Sequence, residues 1–135
     1  MARNSEVHAR RMFAGDPDAV RDARWFVADV LAEAHLDGGS VADLAALAVS
    51  ELATNAVEHA RSPFEVVVDV GDVVRIAVHD DSKDAPRMRS PRPLESGGRG
   101  LLLIDAISDD WGCDPNGTGK WVWCELPTGA GRSPA

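Results

Sequence analysis

Apolar residues recur at helical spacing over two long stretches of the chain. Val20, Ala23, Val27, Val30, Leu31 and Ala34 fall on one stripe, which predicts an amphipathic helix reaching about residue 35. Gly15-Asp16-Pro17-Asp18 precedes it; Asp16 suits a cap and Pro17 the first helical position. Asp37-Gly38-Gly39-Ser40 stops this helix and starts a second, with Ser40 as the expected cap. That helix extends to about residue 60 and is expected to turn Val41, Leu44, Leu47, Ala48 and Leu52 inward.

After Ser62-Pro63 the period changes. Residues 64–70 and 73–80 read as strands joined by the tight turn Gly71-Asp72, a hairpin signal. Weaker alternation over 7–13 suggests an edge strand, and residues 1–6 a frayed end. Residues 81–97 carry Pro86, Pro91 and Pro93 and read as a loop. A short apolar helix is predicted over 100–107. Closing strands follow at 110–113 and 120–126, around a turn at Pro115-Asn116-Gly117. No internal repeat is visible. The expected fold class is α/β in the broad sense: an α+β two-layer sandwich with a mixed, largely antiparallel sheet and helices on one face. Residues 1–12 are expected to form an edge segment, 13–127 the domain and 128–135 a flexible tail.

The 135 residues suffice for one domain with a single core. No apolar run approaches the ~20 residues of a membrane span, and the polar start lacks a signal-peptide core, so the sequence is read as cytoplasmic with no membrane partner. A net charge of −8 opposes direct nucleic-acid binding, which needs clustered Lys and Arg. Any bound triphosphate therefore needs local compensation from a metal ion, backbone N–H groups or placed cations. Cys113 and Cys124 are the two cysteines; they are expected to be free thiols and lack zinc-ligand spacing.

Three segments carry candidate chemistry. Glu51, Asn55 and His59 recur every fourth residue and form one polar stripe on the second helix. Carboxylate, carboxamide and imidazole are poor core material but suit a hydrated metal ion and its phosphates; a solvated helix face would look the same. Asp80 ends an apolar strand, where a carboxylate can accept from an exocyclic amine; Asp81 is the competing choice and a turn-forming Asp the plain one. Gly97-Gly98-Arg99-Gly100-Leu101 joins the Pro-rich loop to an apolar helix. There glycines can bring N–H groups and a helix dipole toward phosphate, and Arg99 can add a cation.

In this order and at these separations, the three segments resemble the GHKL (Bergerat-fold) ATPase and kinase superfamily. The nearest likeness is to its small anti-sigma-factor serine/threonine kinases, histidine-kinase-like ATP-binding regulators of actinobacteria. The resemblance runs over about 13–126. It implies ATP and Mg²⁺ as cofactors, with Asn55 as a metal ligand and Glu51 as general base toward an attacking hydroxyl. It implies ATP contacts from Asn55, Asp80, Ser82, Gly98, Arg99, Gly100 and Leu101. Asp80 would take the adenine amine and so discriminate against guanine. His59 would either line the phosphate end or serve as a partly buried structural histidine. The implied partners are an anti-anti-sigma antagonist protein, phosphorylated on Ser or Thr, and a sigma factor held inactive; a homodimer is the oligomeric state common among such proteins.

Two residues depart from the family pattern. Ser82 stands where a glycine is usual, and Trp121 where a hydroxyl residue on the last strand is usual. The second motivates an alternative: a catalytically weak or inactive nucleotide-binding module that acts by sequestering a protein. A detached sensor-kinase domain is disfavoured, because no dimerisation helix with a phosphoacceptor histidine is present.

Overall fold

The computed structural model describes residues 7–60, 62–82 and 96–128, with backbone alone at 96–101. The expectations for residues 1–6, 83–95 and 129–135 lie outside the described residues. The chain runs β1 (Val7–Phe13), α1 (Asp18–Glu33), α2 (Ser40–His59), β2 (Phe64–Val70), β3 (Val73–Asp80), α3 (Ser96–Ile107), β4 (Asp110–Asn116) and β5 (Gly119–Pro127). The strands form one five-stranded sheet in the order β1-β2-β3-β5-β4. Every neighbouring pair is antiparallel, so the sheet is more uniform than the mixed one expected.

Strand alternation decides which side chains meet the helices. Phe64, Val66, Val68 and Val70 of β2 are buried, as are Val74, Ile76 and Val78 of β3 and Val122, Cys124 and Leu126 of β5. The two helices pack on this face. Ala23, Val27, Val30 and Leu31 come from α1, and Val41, Ala45, Ala48, Val49, Leu52, Ala53 and Ala56 from α2. Phe13 stacks on Phe64 and meets Phe26 edge-on, which closes the core between β1 and α1. The result is the two-layer α+β sandwich that the periodicities imply.

Some local expectations are corrected. Leu47 is 45% exposed. The small residues Ala45, Ala48, Ala53 and Ala56 are what faces the sheet, so α2 lies close to it with Leu47 rotated outward. Ser40 is the first helical residue, and Gly39, in extended backbone, is the cap. For α1 the Asp16 expectation holds: its carboxylate and carbonyl both accept from the Ala19 N–H. β4 runs through Pro115, which an edge strand tolerates, and the turn falls at Gly117-Thr118. Asn116 Oδ1 fixes that turn by accepting from the backbone N–H and the hydroxyl of Thr118 at 3.0 Å each. By length and composition α2 is apolar enough to cross a membrane, contrary to the run-length reading, but it is packed here as the central core helix.

Gly119 opens β5 with φ +152, a region open to glycine and strained for other residues. A Cβ there would lie 1.9 Å from the Asp80 carbonyl oxygen. Gly119→Ala is therefore expected to lower the unfolding free energy by about 2 kcal/mol or more, read as a fall in the urea midpoint.

Candidate functional site

Connectivity places the polar stripe over one end of the sheet. α2 ends at His59, and β2 begins at Phe64, which pairs with Phe13. One step along, Glu65 pairs with His79, next to the end of β3. The C-terminal half of α2 thus comes down where β3 finishes in Asp80, and α2 packs on β3, β5 and α3.

Asp80 lies on the inner, helix-covered face and is 2% exposed, whereas Asp81 is exposed. Asp80 thus continues the buried phase of β3, and Asp81 does not. Its register partner in β5 is Lys120, which is fully buried. Lys120 Nζ donates to Asp80 Oδ1 at 2.9 Å and to Oδ2 at 3.0 Å. The Ser82 N–H also donates to Oδ1, at 2.8 Å, in an Asx turn that aims the carboxylate. A small residue suffices at 82 for this, because the backbone makes the contact. Two buried charges are tolerable only when paired and well bonded, as here.

Lys120 is the site residue that sequence reasoning missed. The signal was present: Lys120 is in phase with Val122, Cys124 and Leu126, and Trp121 is not. Trp121 accordingly points to the open face of the sheet, where it meets His79 at a ring separation of 5.0 Å. Trp123 lies on that face too. Arg75 sits 4.2 Å over its ring, its Nε1 donates to Asp114 at 3.2 Å, and it covers the place a side chain on Gly112 would take. Trp111 is on the helix side and donates to Asp105 of α3 at 2.9 Å.

On α2, Asn55 is 7% exposed and its Oδ1 is buried with no hydrogen-bond partner among the described residues. A buried acceptor left unmade costs about 1–3 kcal/mol. Glu51, one turn earlier, is half-buried, and His59 is exposed at the helix end. An orphaned hard oxygen fits Mg²⁺, which accepts one or two protein ligands beside substrate phosphates and water. Among the described residues no cluster of three His, Cys, Asp or Glu side chains could hold a metal alone.

The glycine segment is corrected in form. Helix α3 begins at Ser96, so Gly97, Gly98, Arg99, Gly100 and Leu101 belong to its first turns and not to a loop before residue 100. Glycine allows helical backbone as readily as a turn, at roughly 1 kcal/mol per residue relative to Ala. The apolar continuation, with Ile104 fully buried, carries the helix. The side chain of Arg99 lies outside what is described. Both cysteines are free thiols; burial pushes Cys124 up to about 12 and also raises Cys113, which favours the protonated thiol in each.

An antiparallel sheet covered by helices on one face, with a buried carboxylate where β3 ends, defines a two-layer α+β sandwich. The model of the histidine kinase-like ATPase domain matches residues 13–125, and the chain belongs to that family. Membership implies ATP binding and places the chain among ATP-using domains. No curated protein matches the chain.

Lys120→Met would leave Asp80 buried and unpaired. Thermal and urea unfolding should show a loss of about 3–5 kcal/mol. The double variant Lys120→Met/Asp80→Leu, which removes both charges, should recover most of it. Equal losses in the two variants would count against the pair as the interaction being measured.

Proposed function

We propose that this chain is an Mg·ATP-dependent serine/threonine protein kinase of the anti-sigma-factor type. In this reading it acts in the cytoplasm, phosphorylates an anti-anti-sigma antagonist and holds a sigma factor inactive. The observation that carries the phosphoryl-transfer reading is the buried, unpartnered Oδ1 of Asn55 on the helix above Asp80. This acceptor lies one helical turn along α2 from Glu51. The regulatory partners rest on the sequence resemblance.

Asp80 takes the exocyclic amine of the base and so orients the purine. Asn55 contributes its side-chain oxygen to the ion, which when bound neutralises charge on the β- and γ-phosphates. Glu51 accepts the proton of a substrate Ser or Thr hydroxyl. That oxygen bonds to the γ-phosphorus, the bond from the γ-phosphorus to the bridging oxygen breaks, and ADP leaves with the electron pair. The first turns of α3 turn backbone N–H groups and the positive end of the helix dipole toward the phosphates. Trp121 is no obstacle, since its indole is on the opposite face of the sheet from α2.

A second reading is favoured by one observation. Lys120 already occupies both oxygens of Asp80, which suits a module that binds nucleotide weakly and acts by protein capture.

Calorimetric titration separates an adenine-specific, metal-dependent site from an empty scaffold. ATP and ADP should bind with an affinity that falls when Mg²⁺ is removed, and GTP should respond little. With labelled ATP and a cognate antagonist, Glu51→Gln should keep nucleotide affinity and lower transfer by roughly 10²-fold or more. Nucleotide binding by the wild type with no transfer to any antagonist would leave the capture module standing instead.

A further inference from the structure

We infer that Lys120 is a second base-reading residue, which donates to the purine ring nitrogen N1 while Asp80 accepts from the neighbouring amine. The inference rests on the nucleotide-binding reading above and adds to it a residue that reading does not use.

The hydrogen-bond inventory of the pair leads there. Asp80 Oδ1 accepts from both Lys120 Nζ and the Ser82 N–H, so its two lone pairs are taken. Among the described residues Oδ2 accepts from Lys120 alone and keeps one lone pair. The Lys120 ammonium has three protons, and its contacts to the two carboxylate oxygens engage at most two of them. The third has no partner among the described residues, although the side chain is fully buried. What remains of the pair is one acceptor and one charged donor side by side, 3.0 Å apart.

The Watson–Crick edge of adenine carries the complement. Its amine and N1 are attached to one carbon, C6, and present a donor next to an acceptor. Guanine presents the reverse order there, a carbonyl oxygen next to an N–H. The order of the protein groups is not free to invert. The Ser82 N–H fixes the carboxylate, and Gly119, held against the Asp80 carbonyl, fixes the start of β5. A guanine in the same pose would set acceptor against acceptor and donor against donor. Lys120 therefore sharpens a choice of base that Asp80 alone makes with one bond. Both groups are buried, so the base reaches them only as the packing above the pair opens; the bonds then form in a water-poor place where they count most.

The test uses wild-type protein and calorimetric titration of ADP, 1-deaza-ADP and 7-deaza-ADP with Mg²⁺. A charge-assisted hydrogen bond to N1 predicts that 1-deaza-ADP binds roughly ten- to a hundredfold more weakly than ADP, while 7-deaza-ADP binds as ADP does. Where the Lys120→Met variant folds, the difference between ADP and 1-deaza-ADP should vanish. Equal wild-type affinities for ADP and 1-deaza-ADP would overturn the role of Lys120 and leave nucleotide binding intact. A loss with 7-deaza-ADP alone would also overturn it, by placing the other edge of the ring against the pair. Failure of all three to bind would remove the nucleotide reading and this inference together.

Discussion

The ion pair of Lys120 with Asp80 ties the end of the sheet to the chemistry of the site. Each charge in it is desolvated, and the two-point contact is what makes that tolerable. It also fixes register. A slip of β5 by one residue would turn Lys120 to the open face and drive Trp121 into the helix layer, reversing every side chain of the strand. Gly119 makes the close approach feasible, because its backbone passes where a Cβ would strike the Asp80 carbonyl. The carboxylate assigned to the base is thus also a structural carboxylate, and its position is set by the strand beside it.

The open face of the sheet is organised differently. Its cross-strand contacts are Arg10 with Glu65, His8 with Asp69, Arg75 with Glu125 and Arg75 over Trp123. Pairs this exposed contribute little individually. They keep a wet face polar around two tryptophans whose edges bond or stack locally. Placing Trp121 and Trp123 there keeps bulky rings off the helix-covered face, where Ala45, Ala48, Ala53 and Ala56 let α2 approach closely. These two indoles and the Asp80–Lys120 pair therefore sit on opposite sides of one sheet.

Much of this was legible from period and punctuation. The β2–β3 hairpin, the two long helices and the inward Asp80 follow from alternation, from Gly71-Asp72 and from an apolar run that ends in an acid. Three features were misread, each for a physical reason. Lys120 was passed over because a buried lysine contradicts the hydrophobic pattern, and a partner 40 residues away in sequence is invisible locally. Leu47 was expected inside because it is large and apolar, but alanines were the better fit to a close helix–sheet contact. The glycines of 97–100 read as a loop, since low helix propensity is a local signal while packing of the following helix is not.

The two ends of the site differ in how complete they are. At the base end the carboxylate is already bonded three times, so an incoming purine adds to a satisfied pair and gains only what the last lone pair and last proton offer. At the proposed phosphate end Asn55 holds an acceptor with no partner among the described residues, and a cation bound there would relieve that cost. Differential affinity should therefore come mainly from the charged tail of the ligand, with the base end acting as a filter. In the proposed division the helix that carries Asn55 and Glu51 would supply the binding energy. The strands that carry Asp80 and Lys120 would decide which ligand is admitted to it.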